Sequence, residues 1–477
     1  MSLTASATVA AAQHTGATPT RRADSASTAA DSLGRQQRLK TVTIAASPLR
    51  PDAPSNGIHL PAARFTDMAA NSPWDVLRQA AGVEVHQQGQ GPGFASDASM
   101  RGFSSDHSTD LALWIDGVPI NEPVNGHAEG YADWNLLFPR AISGIDIARG
   151  PTPVLFGDFV IAGSANVQTK ERMRGSIVSF DGGSTASALN ARQGSGGLFA
   201  ALESDLSRRF HLSVGARVDQ LSTTSVPDDA ASLHASHGTI SPKLGLSALF
   251  ADNATAFANV SRGFKSTDGT ISDPTLPLIQ TWAYETGVRL HRGEASATLA
   301  VYRMDVNNEQ TFDPLTEGSS SGGASRRRGI EVDWSVPIVP TITTHGSWSF
   351  NDAVYTSSVI GADDPTAAPT VLSGLRVYNT ARYVGSADAE WSKSDRFATL
   401  RVVGTFIGSD APFDEPGVEV GGYGLLHLSG SLRLGPRALL RMTIRTALDR
   451  RYPELIARHI VSPGQPRALG AGFDVTF

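Results

Sequence analysis

The stretch from Thr109 to Pro139, TDLALWIDGVPINEPVNGHAEGYADWNLLFP, concentrates side chains that could do chemistry. It combines carboxylates, an imidazole and large aromatic rings: Asp110, Asp116, Glu122, His127, Glu129, Asp133, Trp114, Tyr131 and Trp134. His127 and Glu129 could supply two metal ligands, but no HExxH or paired-histidine spacing supports a catalytic zinc. The stretch carries no GxSxG nucleophile elbow either. The alternatives left open are a loop that contacts a ligand and a hydrogen-bonded loop that serves only the fold.

The composition narrows the function classes. The 477 residues carry a net charge of −6, which gives no indication of a polyanion partner such as nucleic acid. The chain has no cysteine, so disulfides, thiolate nucleophiles and cysteine-ligated metals are excluded. No run of eighteen apolar residues is present, although transmembrane β-strands need only alternation. We expect a protein that is not an enzyme, with no resident metal and no cofactor.

The first residues differ in composition from the rest. Residues 1–38 are polar and predict either a disordered leader or the remnant of an export signal, since Val9 to Gln13 resembles a small-residue cleavage pattern. Residues 39–59 follow as a short β-prone segment, Thr41 to Ala45, and a proline-rich linker.

Residues 60–172 predict a small mixed α/β domain. Ser72 and Pro73 are typical of the beginning of a helix, and Gly82 is typical of its end. Asp116-Gly117 joins two β-prone runs and predicts a hairpin turn. The run AISGIDIARG predicts another strand.

From residue 173 to 477 the pattern changes to strands with one apolar and one polar face. At the end of the chain, Leu469, Ala471, Phe473, Val475 and Phe477 alternate with polar or small residues. A soluble sandwich also alternates, but arginine and glutamate recur on the polar face here, which favours an antiparallel transmembrane β-barrel. An arginine on the lipid face would cost roughly 2–4 kcal/mol at mid-bilayer, so strict segregation is expected.

An ordered set of motifs from Leu39 to Phe477 resembles the TonB-dependent outer-membrane receptors, which have a plug and a β-barrel. The matching pieces are TVTIAAS, VLRQAAGVEV, MRGFSSD, LWIDGVPIN, ISGIDIARGPTPVLFG, AGSANVQTK, SRGFKS, YETGVRL, RRRGIEVDWS and the C-terminal run. The resemblance implies a monomer in the outer membrane of a Gram-negative cell. It also implies TonB, the periplasmic energy transducer, as a partner. The implied function is energised uptake of a scarce small ligand such as a ferric siderophore or cobalamin.

The resemblance also implies roles for individual residues. The TonB-box candidates are Thr41, Val42, Thr43, Ile44 and Ala45, which suit strand addition to TonB. The expected plug anchors are Arg101, Gly102, Asp116, Gly117, Arg149, Gly150 and Pro151, with Arg149 facing a barrel carboxylate such as Glu285 or Glu331. Ligand binding by these arginines is the alternative. The ligand-contact candidates are His107, Asp110, His127, Glu129, Tyr131, Asp133 and Trp134.

The chain departs from the family in its strand count. We count about 14 candidate strands, whereas the resemblance implies a 22-stranded barrel. The early barrel strands are missing, and we place the internal loss near residues 183–197. A sheet this short predicts a gapped barrel that still surrounds the plug. Two other functions therefore stay open: a non-transporting remnant of such a receptor, and a secreted β-rich metal-dependent enzyme.

Overall fold

A computed structural model of the chain describes most of it from residue 56 onward. The described residues are 56–64, 73–86, 97–103, 109–122, 130–132, 134, 142–151, 158–169, 191–225, 232–265, 275–313, 318–357, 359–360, 370–378, 380–393, 397–409, 418–435, 438–457, 460–464 and 466–475. Among them, no helix is long and apolar enough to cross a membrane.

The described residues from 56 to 169 form what we call the N-terminal unit. Two 3₁₀ helices, Ala62–Arg64 and Pro73–Gln79, accompany seven strands. The strands are β1 Gly57–Pro61, β2 Val83–His86, β3 Asp97–Met100, β4 Leu111–Ile115, β5 Val118–Pro119, β6 Ile142–Arg149 and β7 Gly163–Thr169. Five strands form a sheet in the order β1-β6-β7-β4-β5, in which only the β4–β7 pair is parallel, and β2 pairs with β3.

Local sequence explains the turns of this unit. Pro73 is the first residue of the second 3₁₀ helix, as predicted, because its fixed φ suits a helix start and its missing N–H costs nothing there. Gly82 follows the helix with φ of 75° and leads into β2. Asp116 (φ 49°) and Gly117 (φ 79°) form the predicted hairpin turn between β4 and β5. The described part of this domain therefore combines strands with 3₁₀ helices, where the sequence predicted an α-helix.

The large sheet contains thirteen antiparallel strands and takes up most of the rest of the described chain. Its order is β24-β21-β20-β19-β18-β15-β14-β13-β12-β11-β10-β9-β8. These strands are β8 Ala191–Asp205, β9 Phe210–Ser225, β10 Leu233–Ala251, β11 Ala254–Lys265, β12 Ile279–Arg292, β13 Ala295–Asp313, β14 Gly318–Val339, β15 Ile342–Ser357, β18 Tyr383–Ser392, β19 Ala398–Ile407, β20 Tyr423–Gly435, β21 Ala438–Arg445 and β24 Ala468–Val475. Two small ribbons are separate: β16 Val359–Ile360 with β17 Thr370–Val371, and β22 Pro453–Ala457 with β23 Ile460–Pro463.

The large sheet is apolar outside and polar inside. Leu469 and Phe473, on the predicted apolar face of β24, are 78% and 60% exposed. On β12, Tyr284 and Leu290 are exposed while Glu285, on the opposite face, is buried. This is the inverse of a soluble sandwich, because the buried face carries the charges. The predicted mainly β, antiparallel architecture is confirmed.

The sheet has two terminal strands in the described part of the chain. There, β8 pairs only with β9, and β24 pairs only with β21. Thirteen strands compare with about 14 predicted from the sequence.

Candidate functional site

Arg101 is the centre of an ionic junction between the N-terminal unit and the large sheet. Its Nε donates to Glu331 Oε1 at 2.9 Å, and its Nη2 donates to Glu331 Oε2 at 2.8 Å and also to Glu285 Oε1. Its guanidinium carbon lies 4.1 Å from the ring centroid of Tyr302. Although burial alone would lower it, the carboxylates of Glu331 and Glu285 raise the pKa of Arg101. The side chain is therefore a permanent buried cation.

The backbone conformation at Arg101 directs its side chain toward the large sheet. Arg101 directly follows β3 and has φ of 54°, in the left-handed region, and Gly102 follows with φ of 75°. The Arg101 N–H donates to the Gly82 carbonyl at 2.9 Å, which ties this turn to the start of β2. The MRG triplet thus forms a tight turn that projects a guanidinium out of the N-terminal unit.

Arg149 provides the second cation of the junction. Its Nη2 lies 2.8 Å from Asp333 Oδ2, and its Nε lies 3.8 Å from Glu331. Nε also donates to the Ala81 carbonyl and Nη1 to Asn56 Oδ1, each at 2.8 Å. Glu331, one of the two wall carboxylates expected for Arg149, is thus near it, but the close partner of Arg149 is Asp333. Glu285, the other expected carboxylate, pairs with Arg101 instead.

Asn56 bridges the two units through both its backbone and its amide. Its N–H donates to Glu285 Oε2 at 2.9 Å, and its Nδ2 donates to Glu331 Oε2 at 2.6 Å. The sequence analysis missed Asn56 and Asp333. Asp333 had a usable signal, since it follows Glu331 by two residues on one strand and so lies on the same face.

The strand register of the large sheet places the carboxylates of Glu285 and Glu331 close together. Glu285 on β12 lies opposite Tyr302 on β13, and Glu331 on β14 lies opposite Ala300, two residues away on the same face of β13. Strands β12 and β14, on either side of β13, therefore present a single acidic patch to the N-terminal unit. Truncating one member of such a buried group leaves an uncompensated charge, whereas the intact group fixes position more than it adds stability.

Two further contacts connect the units. Lys265 at the end of β11 donates to Thr109 Oγ1 at 2.7 Å and to Asp110 Oδ1 at 3.0 Å. Arg327 on β14 donates to the Gly102 carbonyl at 2.9 Å and lies 3.8 Å above the ring of Phe103. Neither Lys265 nor Arg327 was singled out from the sequence, because an inward charge on a strand resembles many others until its partner is known.

The other expected anchors divide into two groups. Gly150 and Pro151 lie at the junction: a Cβ on Gly150 would be 3.1 Å from Arg101 Nη1, and Pro151 Cβ is 2.6 Å from the position of a Cβ on Gly263 of β11. Asp116 instead accepts from the Thr169 N–H at 2.7 Å, inside the N-terminal unit, and belongs with Gly117 to the hairpin turn.

The ligand-contact candidates are placed differently from one another. Asp110 forms the ion pair with Lys265. Tyr131 is half-buried and its carbonyl accepts from the Glu122 N–H at 2.8 Å. Trp134 is fully buried and stacks on Trp74 with ring centroids 5.3 Å apart, so it is a core side chain of the N-terminal unit. The remaining candidates, His107, His127, Glu129 and Asp133, lie outside the described residues, as do Thr41 to Ala45.

Metal-ligating side chains do not cluster in the described part of the chain. No group of three or more histidine, aspartate or glutamate side chains there is arranged to hold a metal ion.

Comparison with known proteins agrees with this architecture. The family model described as TonB dependent receptor-like, beta-barrel matches residues 32–448. The chain is 37% identical over 119 residues to the vitamin B12 transporter BtuB of Vibrio vulnificus, which is 24% of this chain and 18% of the transporter. It is 26% identical over 191 residues to the ferrichrome outer membrane transporter/phage receptor of Escherichia coli, which is 35% of this chain and 25% of that protein. The chain therefore spans well under two thirds of the length of these curated relatives.

Solved structures share the fold. The ferric yersiniabactin uptake receptor FyuA of Yersinia pestis matches with a TM-score of 0.67 and 13% identity, over 89% of this chain and 98% of that one. The copper transporter OprC matches with a TM-score of 0.70 and 11% identity, over 88% of this chain and 100% of that one.

Proposed function

Since the chain belongs to the family of TonB-dependent receptor-like β-barrel proteins, we propose that it is an outer-membrane receptor for energised uptake of a scarce small ligand. In this proposal the N-terminal unit is the plug and the large sheet is the barrel wall. TonB, the periplasmic energy transducer, is the protein partner.

The observation that carries the proposal is the buried ionic junction around Arg101 and Arg149. It joins the N-terminal unit to the wall with charged pairs that lie inside, while the opposite face of the wall exposes leucine and phenylalanine. Such pairs hold a position and can exchange partners when the unit shifts, because their net contribution to stability is small while they stay intact. A pull on the segment before Asn56 would act directly on this junction, since Asn56 bonds to Glu285, Glu331 and Arg149.

The ligand class follows from the relatives' names. A vitamin B12 transporter and a ferrichrome transporter share sequence with this chain, so we propose a ferric siderophore, cobalamin or a similar small nutrient. The ligand contacts proposed for this uptake are His107, Asp110, His127, Glu129, Tyr131 and Asp133. Trp134 supports them from the core rather than by touching the ligand.

A non-transporting receptor remnant is the second candidate. The observation that favours it is the pair of terminal strands β8 and β24, each with one partner among the described residues.

Uptake measured in cells separates these candidates. The full chain, fused behind an export signal, is expressed in a Gram-negative host with or without TonB, and accumulation of radiolabelled cobalamin and of a panel of ferric siderophores is followed. We expect the chain in the outer-membrane fraction and accumulation of one ligand only with TonB. Membrane insertion without any TonB-dependent accumulation would favour the remnant, and recovery as a soluble monomer without detergent would refute both.

A further inference from the structure

The outer face of the large sheet carries a group of charged side chains, which we call the outer charged patch. Its members are Arg303 and Asp305 on β13, Arg326 and Arg328 on β14, and Asp352 on β15. The three arginine side chains are 53%, 41% and 66% exposed, respectively. Because an arginine on the lipid face of a barrel costs free energy, this patch is an exception to the apolar outer surface.

Alternation along β14 places its two arginines outside. Arg328 precedes Ile330 by two residues, and Ile330 is exposed on the outer face. Arg326 lies two residues further along the same face. Arg327, between the two, is buried and donates to the Gly102 carbonyl of the N-terminal unit. The patch therefore faces away from the N-terminal unit and from the ionic junction.

Strand register brings the members of the patch together. Arg326 lies opposite Asp305, and Arg328 lies opposite both Arg303 and Asp352. Arg326 Nε donates to Asp305 at 3.1 Å, and Arg328 Nε donates to Asp352 at 2.8 Å. Arg303 and Arg328 thus occupy directly opposite positions on neighbouring strands. Like charges in such positions destabilise a sheet, so an anion at this place would stabilise it.

The two aspartates leave part of the arginine donors unused. Arg326 and Arg328 each donate through Nε, and their Nη1 and Nη2 groups make no hydrogen bond to any described residue. Because both side chains are exposed, these groups are accessible from outside the chain. Three arginines against two aspartates also leave the patch with a net positive charge. The patch therefore offers both donors and charge to an anion.

The patch lies toward the end of the sheet that carries the long connections. At the opposite end, residues 293–294 alone join β12 to β13, whereas residues 266–278 join β11 to β12 at the end near the patch. In outer-membrane barrels the longer loops are extracellular. Exposed apolar side chains continue from the patch toward the short turns, and they include Leu299, Val301 and Ile330. The patch thus lies at the rim of an apolar surface.

We propose that the outer charged patch binds the phosphate headgroup of a lipid in the outer leaflet of the membrane. The phosphate oxygens accept from the Nη groups of Arg326 and Arg328, because hydrogen bonds from guanidinium to phosphate are charge-assisted. The acyl chains lie along Val301 and Ile330. The proposal rests on the insertion of the chain in the outer membrane. It requires neither TonB nor a transported ligand, so headgroup binding and uptake can fail separately.

The test uses the full chain purified in detergent and titrated with dioleoyl phosphatidate, and native mass spectrometry measures the fraction of chain that carries lipid. Dioleoyl phosphatidylcholine has the same acyl chains but no net charge, and glycerol 3-phosphate has the phosphate without the chains. We expect saturable binding of phosphatidate and much weaker binding of the other two. Equal affinity for phosphatidylcholine would overturn the role of the charge. Equal affinity for glycerol 3-phosphate would indicate a site for free phosphate and overturn the lipid assignment.

Arg328→Gln should weaken phosphatidate binding about fivefold, because one arginine near an anionic lipid headgroup contributes about that factor. Arg292→Gln is the matched control, since Arg292 is exposed at the short-turn end of β12 and lies opposite Ala295. It should leave the affinity unchanged. An equal loss in both variants would overturn the proposal.

Asp352→Asn provides a second variant with the opposite expected sign. It removes the carboxylate that competes with the lipid phosphate for Arg328, so phosphatidate binding should become about fivefold tighter. A variant that merely loses its fold cannot give this gain. Unchanged or weaker binding by Asp352→Asn, or no saturable binding to the unaltered chain, would overturn the proposal.

Discussion

At the scale of single residues, the contact between the two units depends on a few charges that cannot reach water. Arg101 and Arg149 meet Glu285, Glu331 and Asp333, and all five are almost fully buried. Removing one partner from a buried group costs more than the intact group contributes, because the remaining charge loses both water and its counter-ion. The junction is therefore sensitive to single substitutions.

Arg101→Gln tests this sensitivity. It removes the cation shared by Glu285 and Glu331, and we expect the N-terminal unit to lose roughly 3–5 kcal/mol of docking free energy. Urea-dependent protease cleavage of the N-terminal unit in the purified chain measures it. Arg303→Gln is the control, since the Arg303–Asp305 pair is 2.8 Å long but its arginine side chain is 53% exposed. That change should cost less than about 1 kcal/mol, because water screens exposed pairs. Equal losses in the two variants would contradict the role of the junction.

Gly82 offers a test of close packing at the same place. A Cβ there would lie 2.5 Å from Glu331 Oε1, and the residue has φ of 75°. Gly293 has φ of 60° but open space around its Cβ position. Gly293→Ala should cost only the left-handed strain of about 1–2 kcal/mol. Gly82→Ala should cost clearly more, since Glu331 must also move away from Arg101. Thermal unfolding measures the loss of stability in both variants. A smaller loss for Gly82→Ala than for Gly293→Ala would show that Glu331 can move away from Arg101 at little cost.

At the scale of elements, alternation along the strands separates two environments. Residues 331 and 333 of β14 face inward because strand side chains repeat with a period of two, while Ile330 between Gly329 and Glu331 is exposed on the other face. The same strand thus serves the ionic junction and the apolar outer surface. A shift of one residue in the register of β14 would turn Glu331 and Asp333 to the outer face and Ile330 to the inner face. The polar contacts with the N-terminal unit therefore also help to fix the register of this strand.

The segment Thr41 to Ala45 is the element through which we expect TonB to act. Val42→Pro should abolish strand addition, because proline removes a backbone donor and fixes φ, while ligand binding persists. Disulfide trapping between cysteines placed at Thr43 and in the C-terminal domain of TonB measures the contact. Equal trapping with the order of residues 41–45 scrambled would refute this assignment.

At the scale of the whole molecule, the sheet and the N-terminal unit do not match in size. Barrel diameter grows roughly linearly with strand number, so about 14 strands give roughly two thirds of the diameter of 22 strands. A closed ring of that size would not accommodate the N-terminal unit. An open sheet in lipid would leave backbone groups unsatisfied at several kcal/mol each.

We therefore expect the isolated chain to be poorly stable. Heat-modifiable gel mobility and protease protection of the N-terminal unit measure this. The expected result is no compact heat-modifiable band and an N-terminal unit that proteases begin to degrade at a low urea concentration. A compact heat-modifiable species with a protected N-terminal unit would mean that the edges of the sheet are covered.

The sequence by itself determined the strands, their two faces and the turns at Gly82 and Asp116-Gly117. These follow from local chemistry: alternation, proline at a helix start, and residues that tolerate positive φ. The resemblance to the family, rather than local chemistry, implied Arg101 and Arg149 as anchors of the N-terminal unit and a wall carboxylate as the partner of Arg149. Only the tertiary structure decided which carboxylates they meet, that Asn56 and Asp333 join them, that Asp110 pairs with Lys265, and that Trp134 is buried against Trp74. The partners are separated by up to 275 residues along the chain, so no local pattern relates them. Their pairing is set by strand register and by the docking of one unit on the other.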